Sequence, residues 1–299
     1  MDISTFLSKS DENYKMHSEI PDLLKDGPCC LGIDEAGRGP VLGPMVYSAC
    51  FCPISKKQDL SDMGCDDSKV LTEEKREELF NTLHEASSKF IGWMTNILSP
   101  NYISNSMLSR TKYNLNSLSH DTAIDLIRST IKLGVDVKEV FIDTVGPPET
   151  YQAKLKKLFP DINICVEKKA DAKYPVVSAA SICAKVCRDR VIKEWVFFEN
   201  NEMDRNYGSG YPSDPTTKSW LRKNVDPVFG FPNFVRFSWS TASKILEDEA
   251  LSVHWPDDDE SEGDTSSNTP AITSFFATGA GDKRHRFFVE NNLYTVETI

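Results

Sequence analysis

No stretch of this 299-residue chain approaches the ~18–20 uncharged apolar residues needed to cross a bilayer, which excludes a helical membrane span. The eight cysteines (29, 30, 50, 52, 65, 165, 183, 187) include no Cys-x-x-Cys pair. The five histidines (17, 84, 120, 254, 285) show no metal-like spacing with them. Structural zinc and a disulfide framework are therefore not expected, and a reduced intracellular protein is. The first 25 residues carry acids from Asp2 onward and no apolar block, so they do not read as a secretory signal. Nucleotide fingerprints are missing too: Gly43 comes too late after Gly37-Arg38-Gly39-Pro40, no Gly-Lys-Ser/Thr follows, and Pro40 and Pro44 break any helix there. No internal repeat is present.

Hydrophobic residues make up 39% of the chain and charged residues 26%, enough apolar material for a buried core in one large or two modest domains. The formal charge of −11 is unevenly placed. Residues 247–264 hold nine acids and no Lys or Arg, and setting those nine aside leaves −2 for the remainder. A near-neutral body can still present a basic face, so the low isoelectric point does not exclude a nucleic-acid ligand.

Residues 1–27 are polar and aperiodic and are expected to form a loose leader. Apolar runs at 29–33 and 45–52, separated by a Gly/Pro-rich turn, predict two strands. Further strands are expected at 90–98, 139–143 and 162–166, five in all. Helices are expected at 72–87 (capped by Thr72), 112–133 (stopped by Gly134), 149–159 and 176–198. Alternation of strands and helices in the second half implies parallel pairing, while the closely linked early strands make the sheet mixed. Helices at 215–224 and 241–251 lie beyond the sheet, and the acidic, Ser/Thr/Gly-rich stretch 256–271 reads as a disordered linker. The expected organisation is a catalytic α/β domain over 28–204, a helical substrate-binding domain over 205–251, and an acidic linker with a docking tail over 252–299.

The most informative pattern is where carboxylates fall. Asp34 ends the first apolar run with Glu35 beside it, Asp143 closes Val140-Phe141-Ile142, and Asp171 follows the strand at 162–166. Ligand crevices of α/β sheets lie at the carboxyl ends of strands, so these acids would gather at one edge. Clustered like charges raise one another's pKa unless a cation sits between them. All-oxygen ligands favour Mg²⁺ or Mn²⁺, and two such ions suit phosphodiester cleavage. Each acid alone would read as a solvated turn residue. Asp34 and Glu35, adjacent on a strand, can both reach a metal only where the strand ends or bulges.

Other segments are open to two readings. Gly37-Arg38-Gly39 is a tight turn, or a place where backbone presses against a ligand. Lys69 of Asp67-Ser68-Lys69 is a phosphate contact or a residue preceding a helix. Tyr207-Gly208-Ser209-Gly210-Tyr211-Pro212 is turn chemistry, or an aromatic face for stacking on a sugar or base. Arg188, Arg190, Lys193, Lys218, Arg222 and Lys223 are a basic surface or a solvated face.

Taken in order, Asp-Glu-Ala-Gly-Arg-Gly-Pro (34–40), Asp-Ser-Lys (67–69), Phe-Ile-Asp-Thr-Val-Gly (141–146), Lys-Ala-Asp-Ala (169–172), Ser-Ala-Ala-Ser-Ile-Cys-Ala-Lys (178–185) and Gly-Ser-Gly-Tyr-Pro (208–212) closely resemble the type 2 ribonuclease H family, in particular the catalytic component of its eukaryotic members. The likeness covers roughly residues 28–250. It implies a ribonuclease H-like mixed sheet flanked by helices, a small helical C-terminal domain and a partly disordered tail. It also implies endonucleolytic cleavage of RNA in RNA–DNA hybrids, and on the 5′ side of single ribonucleotides embedded in duplex DNA, leaving 5′-phosphate and 3′-hydroxyl ends. By the same resemblance Asp34, Glu35, Asp143 and Asp171 would bind two Mg²⁺ or Mn²⁺ ions. The backbone of Gly37, Arg38 and Gly39 would contact the ribose 2′-hydroxyl, Tyr211 would stack at the RNA–DNA junction, and Lys69 and Arg188 would contact phosphates.

The resemblance further implies a nuclear location and a heterotrimer with two non-catalytic subunits. Ile272 to Phe276 and Phe287-Phe288 are expected to dock on those subunits. The segment from Thr269 to Phe276 also looks like a sliding-clamp peptide, though Thr269 stands where a Gln is expected. Two rivals are weighed: a metal nuclease acting on ordinary DNA, and a hybrid-binding scaffold whose acids are structural.

Overall fold

The computed structural model of the chain describes residues 1–65, 71–111, 113–144, 146–199 and 203–252. In chain order the elements are α1 (Ser4–Ser8), β1 (Tyr14–His17), β2 (Cys29–Ala36), β3 (Met45–Pro53), α2 (Lys57–Asp62), α3 (Glu73–Ala86), β4 (Gly92–Leu98), α4 (Pro100–Met107), α5 (Leu115–Lys132), β5 (Val137–Asp143), α6 (Pro148–Leu158), β6 (Asn163–Glu167), α7 (Pro175–Lys193), α8 (Pro215–Lys223) and α9 (Ser240–Glu249). The strands form one sheet in the order β1-β4-β3-β2-β5-β6. The β1/β4, β4/β3 and β3/β2 pairs are antiparallel, and β2/β5 and β5/β6 are parallel. The expected mixed sheet is therefore present.

It has six strands rather than five, because the residues expected to form a loose leader are structured. Tyr14–His17 pairs with β4, and Phe6 and Leu24 are fully buried. A four-residue strand with alternating burial and polar flanks carries too little periodicity to stand out in the sequence. The helix beginning at Pro100 has no counterpart among the expected elements. Ser99 accepts from the Tyr102 N–H as its cap, and Pro100 occupies the first turn, where a proline costs no hydrogen bond. The long helix ends at Lys193, not 198, because Trp195 and Phe197 turn inward to meet Phe234.

The sheet divides the core into two apolar layers. On one face Cys30, Cys50, Cys52 and Val46 pack with α3 and α7. On the other Leu31, Ile33, Tyr47 and Phe51 pack with α5 and α6. None of the eight cysteines forms a disulfide, including Cys30 and Cys52, whose sulfurs lie 3.6 Å apart. At the end of α7, Phe234 is the hub of an aromatic cluster with Trp195 (4.9 Å between ring centroids), Tyr207, Phe197 and Trp220. Through it the segments carrying α8 and α9 share the α7-side core, and Met1–Leu251 forms one compact unit. No described helix is long and apolar enough to cross a membrane. The linker and docking segments expected beyond residue 252 lie outside the described residues.

Candidate active site

Alternation along β2 decides which acid faces which layer. Gly32 and Asp34 point toward α7, while Ile33 and Glu35 point toward α5 and α6. Gly32 allows α7 to come unusually close, since a Cβ there would lie 2.4 Å from the Val176 carbonyl carbon. The first turns of α7 are thus pressed against the strand just before Asp34. Ser181 of α7 consequently hydrogen-bonds to the Asp34 carboxylate, whose Oδ1 also accepts the Glu35 N–H at 2.8 Å.

Asp143 ends β5, the parallel neighbour of β2. Its Oδ1 accepts two backbone N–H bonds, from Thr144 (3.1 Å) and Ala170 (3.2 Å). Asp171 lies in a short 3₁₀ turn between β6 and α7 and is buried. The carboxylates of Asp34, Asp143 and Asp171 each offer an oxygen within 4.8 Å of the other two. Three of the four expected metal ligands therefore converge. Glu35 stands outside this group, lying instead near Tyr47 and Tyr151 on the opposite face of β2.

Burial pushes the Asp34 carboxyl up to about 7, and the Asp143 and Asp171 charges add to the rise. The Ser181 and Glu35 hydrogen bonds oppose it without cancelling it. Three carboxylates this close, one of them losing its proton only near neutrality, are an environment that a divalent cation relieves. The donor set is all oxygen, which suits Mg²⁺ or Mn²⁺.

Beside the acids, the turn 37–44 is gripped from two sides. Arg236 is fully buried, and its guanidinium donates to the carbonyls of Gly37 (2.6 Å), Arg38 (3.1 Å) and Gly43 (2.8 Å). The Trp239 indole N–H donates to the Gly39 carbonyl at 3.1 Å. From α7, Arg188 donates to the carbonyls of Leu42 and Pro44, both at 3.2 Å. Gly37 has a φ of 76°, and a Cβ on it would fall 2.0 Å from Arg188 Nε, so only glycine fits without displacing that arginine. The Arg38 side chain turns away to Ser119, Asn116 and the Leu115 carbonyl at the start of α5. What the turn presents is its main chain, with the peptide planes of 37–39 fixed by their carbonyl bonds.

Tyr211 covers this turn. A Cβ on Gly39 would sit 3.0 Å from the tyrosine ring, which is half exposed, and the Val41 N–H bonds the Gly210 carbonyl at 2.8 Å. Gly37, Arg38, Gly39, Tyr211 and Arg188 are thus together. Lys69 lies outside the described residues. The sequence reading missed Gly32, Ser181, Arg236 and Trp239. A serine on the inward face of a helix predicted to follow the acids was the one available signal. Arg236 looks like any loop arginine until its burial is known.

The family model described as Ribonuclease HII matches residues 31–242. The chain is 53% identical to the ribonuclease H2 A subunits' representative in Mus musculus and 51% identical to that in Homo sapiens, with 100% of each chain covered in both comparisons. The protein of the same name from Arabidopsis thaliana is 48% identical, over 83% of this chain and 84% of its own. Among solved structures, ribonuclease H2 from Pyrococcus horikoshii OT3 superposes with a TM-score of 0.61 at 34% identity, covering 74% of this chain and 98% of that one. The RNase HII of Archaeoglobus fulgidus, solved as a PCNA complex, gives a TM-score of 0.58 at 31% identity, over 73% and 99% respectively.

Proposed function

Because this chain belongs to the ribonuclease HII family, as a relative of its eukaryotic catalytic A subunits, we propose that it nicks duplex DNA on the 5′ side of single embedded ribonucleotides as well as cleaving longer hybrids. It is a ribonuclease H, an endoribonuclease acting on the RNA of RNA–DNA hybrids, and it depends on a divalent metal. The observation that carries the finer reading is the convergence of Asp34, Asp143 and Asp171 within 4.8 Å, next to a turn that offers only backbone and is covered by Tyr211.

Asp34, Asp143 and Asp171 would hold the metal. Glu35, which lies near Tyr47 and Tyr151 on the opposite face of β2, would serve a second ion only if its side chain left that face. Held by these residues, a divalent ion would supply the Lewis acidity that activates water at neutral pH and offsets charge on a leaving oxygen. The chain's own groups do the rest. The fixed backbone of Gly37, Arg38 and Gly39 reads the 2′-hydroxyl, the group that separates RNA from DNA. Tyr211 stacks at the RNA–DNA junction and keeps the sugar against that turn. Arg188, two of whose donors hold the turn, acts on phosphate through any donor left over, and Lys69 is assigned a second phosphate contact. The ends produced are a 5′-phosphate and a 3′-hydroxyl.

A nicking assay tests this directly, comparing a duplex with one ribonucleotide, an all-DNA duplex and an RNA–DNA hybrid, with and without Mg²⁺ or Mn²⁺. Cleavage of the first and third only, lost in Asp34→Ala and Asp143→Ala, is the expected result. Near-normal cleavage by either variant would end the metal assignment, and cutting of the all-DNA duplex would favour a general DNA nuclease.

The lettered designation of the relatives supports a heterotrimer with two non-catalytic subunits, the tail from Ile272 to Phe288 making the contact. The PCNA complex of the archaeal relative supports the sliding clamp as a weaker partner of 269–276. A nuclear location fits a substrate made during DNA replication and repair. Truncation after residue 265 tests subunit docking: trimer assembly is expected to fail, and unchanged assembly would count against tail docking.

A further inference from the structure

Among the described residues, Lys169 is the only non-glycine with a left-handed backbone (φ 57°, ψ 41°). That region is costly for a residue with a Cβ, and lysine lacks the short polar side chain that lets Asn or Asp settle there. The position is not incidental. β6 ends at Glu167, whose Cα is in register with Asp143 of β5. Two residues later the left-handed torsion folds the chain back over the end of the sheet. The Ala170 N–H then meets Asp143 Oδ1 at 3.2 Å, and the next residue, Asp171, enters the core. The fold-back is braced by the Ala172 N–H on the Lys169 carbonyl (3.1 Å) and the Tyr174 N–H on the Ala170 carbonyl (2.9 Å). One torsion pair therefore links a hydrogen bond to one acid with the entry of another. The Lys169 side chain itself is exposed.

We propose that Lys169 is a positioning residue of the acid cluster, and that its left-handed backbone rather than its ammonium sets the placement of Asp171 against Asp143. The proposal rests on the metal reading above. Strain retained beside a reactive cluster is tolerated when it fixes geometry that the reaction needs.

The test uses the full-length protein in its active form, with Lys169→Gly, Lys169→Ala and Lys169→Val. Readouts are kcat and KM for the embedded-ribonucleotide duplex, and Mn²⁺ affinity from the spin-resonance signal of unbound Mn²⁺, which needs no turnover. Valine, β-branched and least able to adopt the left-handed region, is expected to lower kcat by about 100-fold with KM changed by no more than about threefold, and to weaken Mn²⁺ binding about tenfold. Glycine, which adopts the torsion freely, and alanine, for which it costs no more than for the parent lysine, both drop the charge and are expected to keep Mn²⁺ binding and kcat within about threefold of the parent. Full retention by the valine variant overturns the proposal. So do losses in the glycine and alanine variants as deep as valine's, which would assign the role to the ammonium. If a melting curve shows that the valine variant does not fold, Lys169→Thr takes its place under the same thresholds. A parent protein inert on all substrates would instead sink the functional reading, while Mn²⁺ affinity still reports on the positioning.

Discussion

Arg236 spends a buried cation on three carbonyl oxygens of one turn. A guanidinium can do this because its donors form a rigid fork, whereas an ammonium is a point charge. Arg236→Lys is therefore expected to behave as a loss, each carbonyl left without a partner costing about 1–3 kcal/mol. A fall of about 10–100-fold in kcat/KM on the embedded-ribonucleotide duplex, with a lower melting temperature, would be the outcome to measure. Gly37→Ala should fail comparably, since its Cβ would displace Arg188 and its φ of 76° is unfavourable for alanine. Asp34 makes a pH prediction. Its folded pKa, about 7, lies above the ordinary 3.8, so the fold holds that proton more tightly than the unfolded chain does. The metal-free protein thus has the full contribution below about pH 4 and loses it progressively as pH rises to about 7. A divalent ion competes with the same proton. Mg²⁺ or Mn²⁺ should accordingly stabilise the fold more at pH 8, by up to about 2.7 kcal/mol at a hundredfold excess over Kd, than at pH 5, seen as a larger rise in melting temperature. Equal shifts at both pH values would contradict the assignment.

At the scale of elements, α3 gives a control. Thr72 accepts the Lys75 N–H as its cap, and Thr72→Ala should cost about 1 kcal/mol of stability with cleavage unchanged at saturating metal. Strand ends were legible in the sequence because apolar runs stop at charged residues, which is how Asp34 and Asp143 were found. Their helices were legible from caps and period, as with Thr72, which caps α3, and Gly134, which follows α5 with a φ of 90°. Glu35 was harder. Alternation already cast doubt on it, and the strand continuing to Ala36 keeps the side chain on the far face. The helix at Pro100 escaped because a proline reads as a breaker unless the serine before it is recognised as a cap.

For the molecule as a whole, the misjudged N-terminus has measurable weight. Phe6 packs edge-on against Trp195, 6.0 Å away, and through it joins the aromatic cluster around Phe234. Phe6→Ala should cost about 3–5 kcal/mol, lowering the melting temperature by roughly 10 °C. A change within error would return the leader to the status of a loose appendage. Long-range packing of this kind has no local signature, since nothing near Phe6 in sequence announces a partner almost two hundred residues away. The same holds for Arg236 and the turn it grips, joined only when the chain closes on itself.

At Gly32 sheet and helix touch through their main chains, with no side chain between them to trim or enlarge. The gap separating Asp34 from the helix that carries Ser181 is in that sense a fixed mechanical dimension. Exchanging side chains elsewhere on α7 would leave that gap between Asp34 and the helix as it is. Widening the space on that side of Asp34 would have to begin by moving a whole helix.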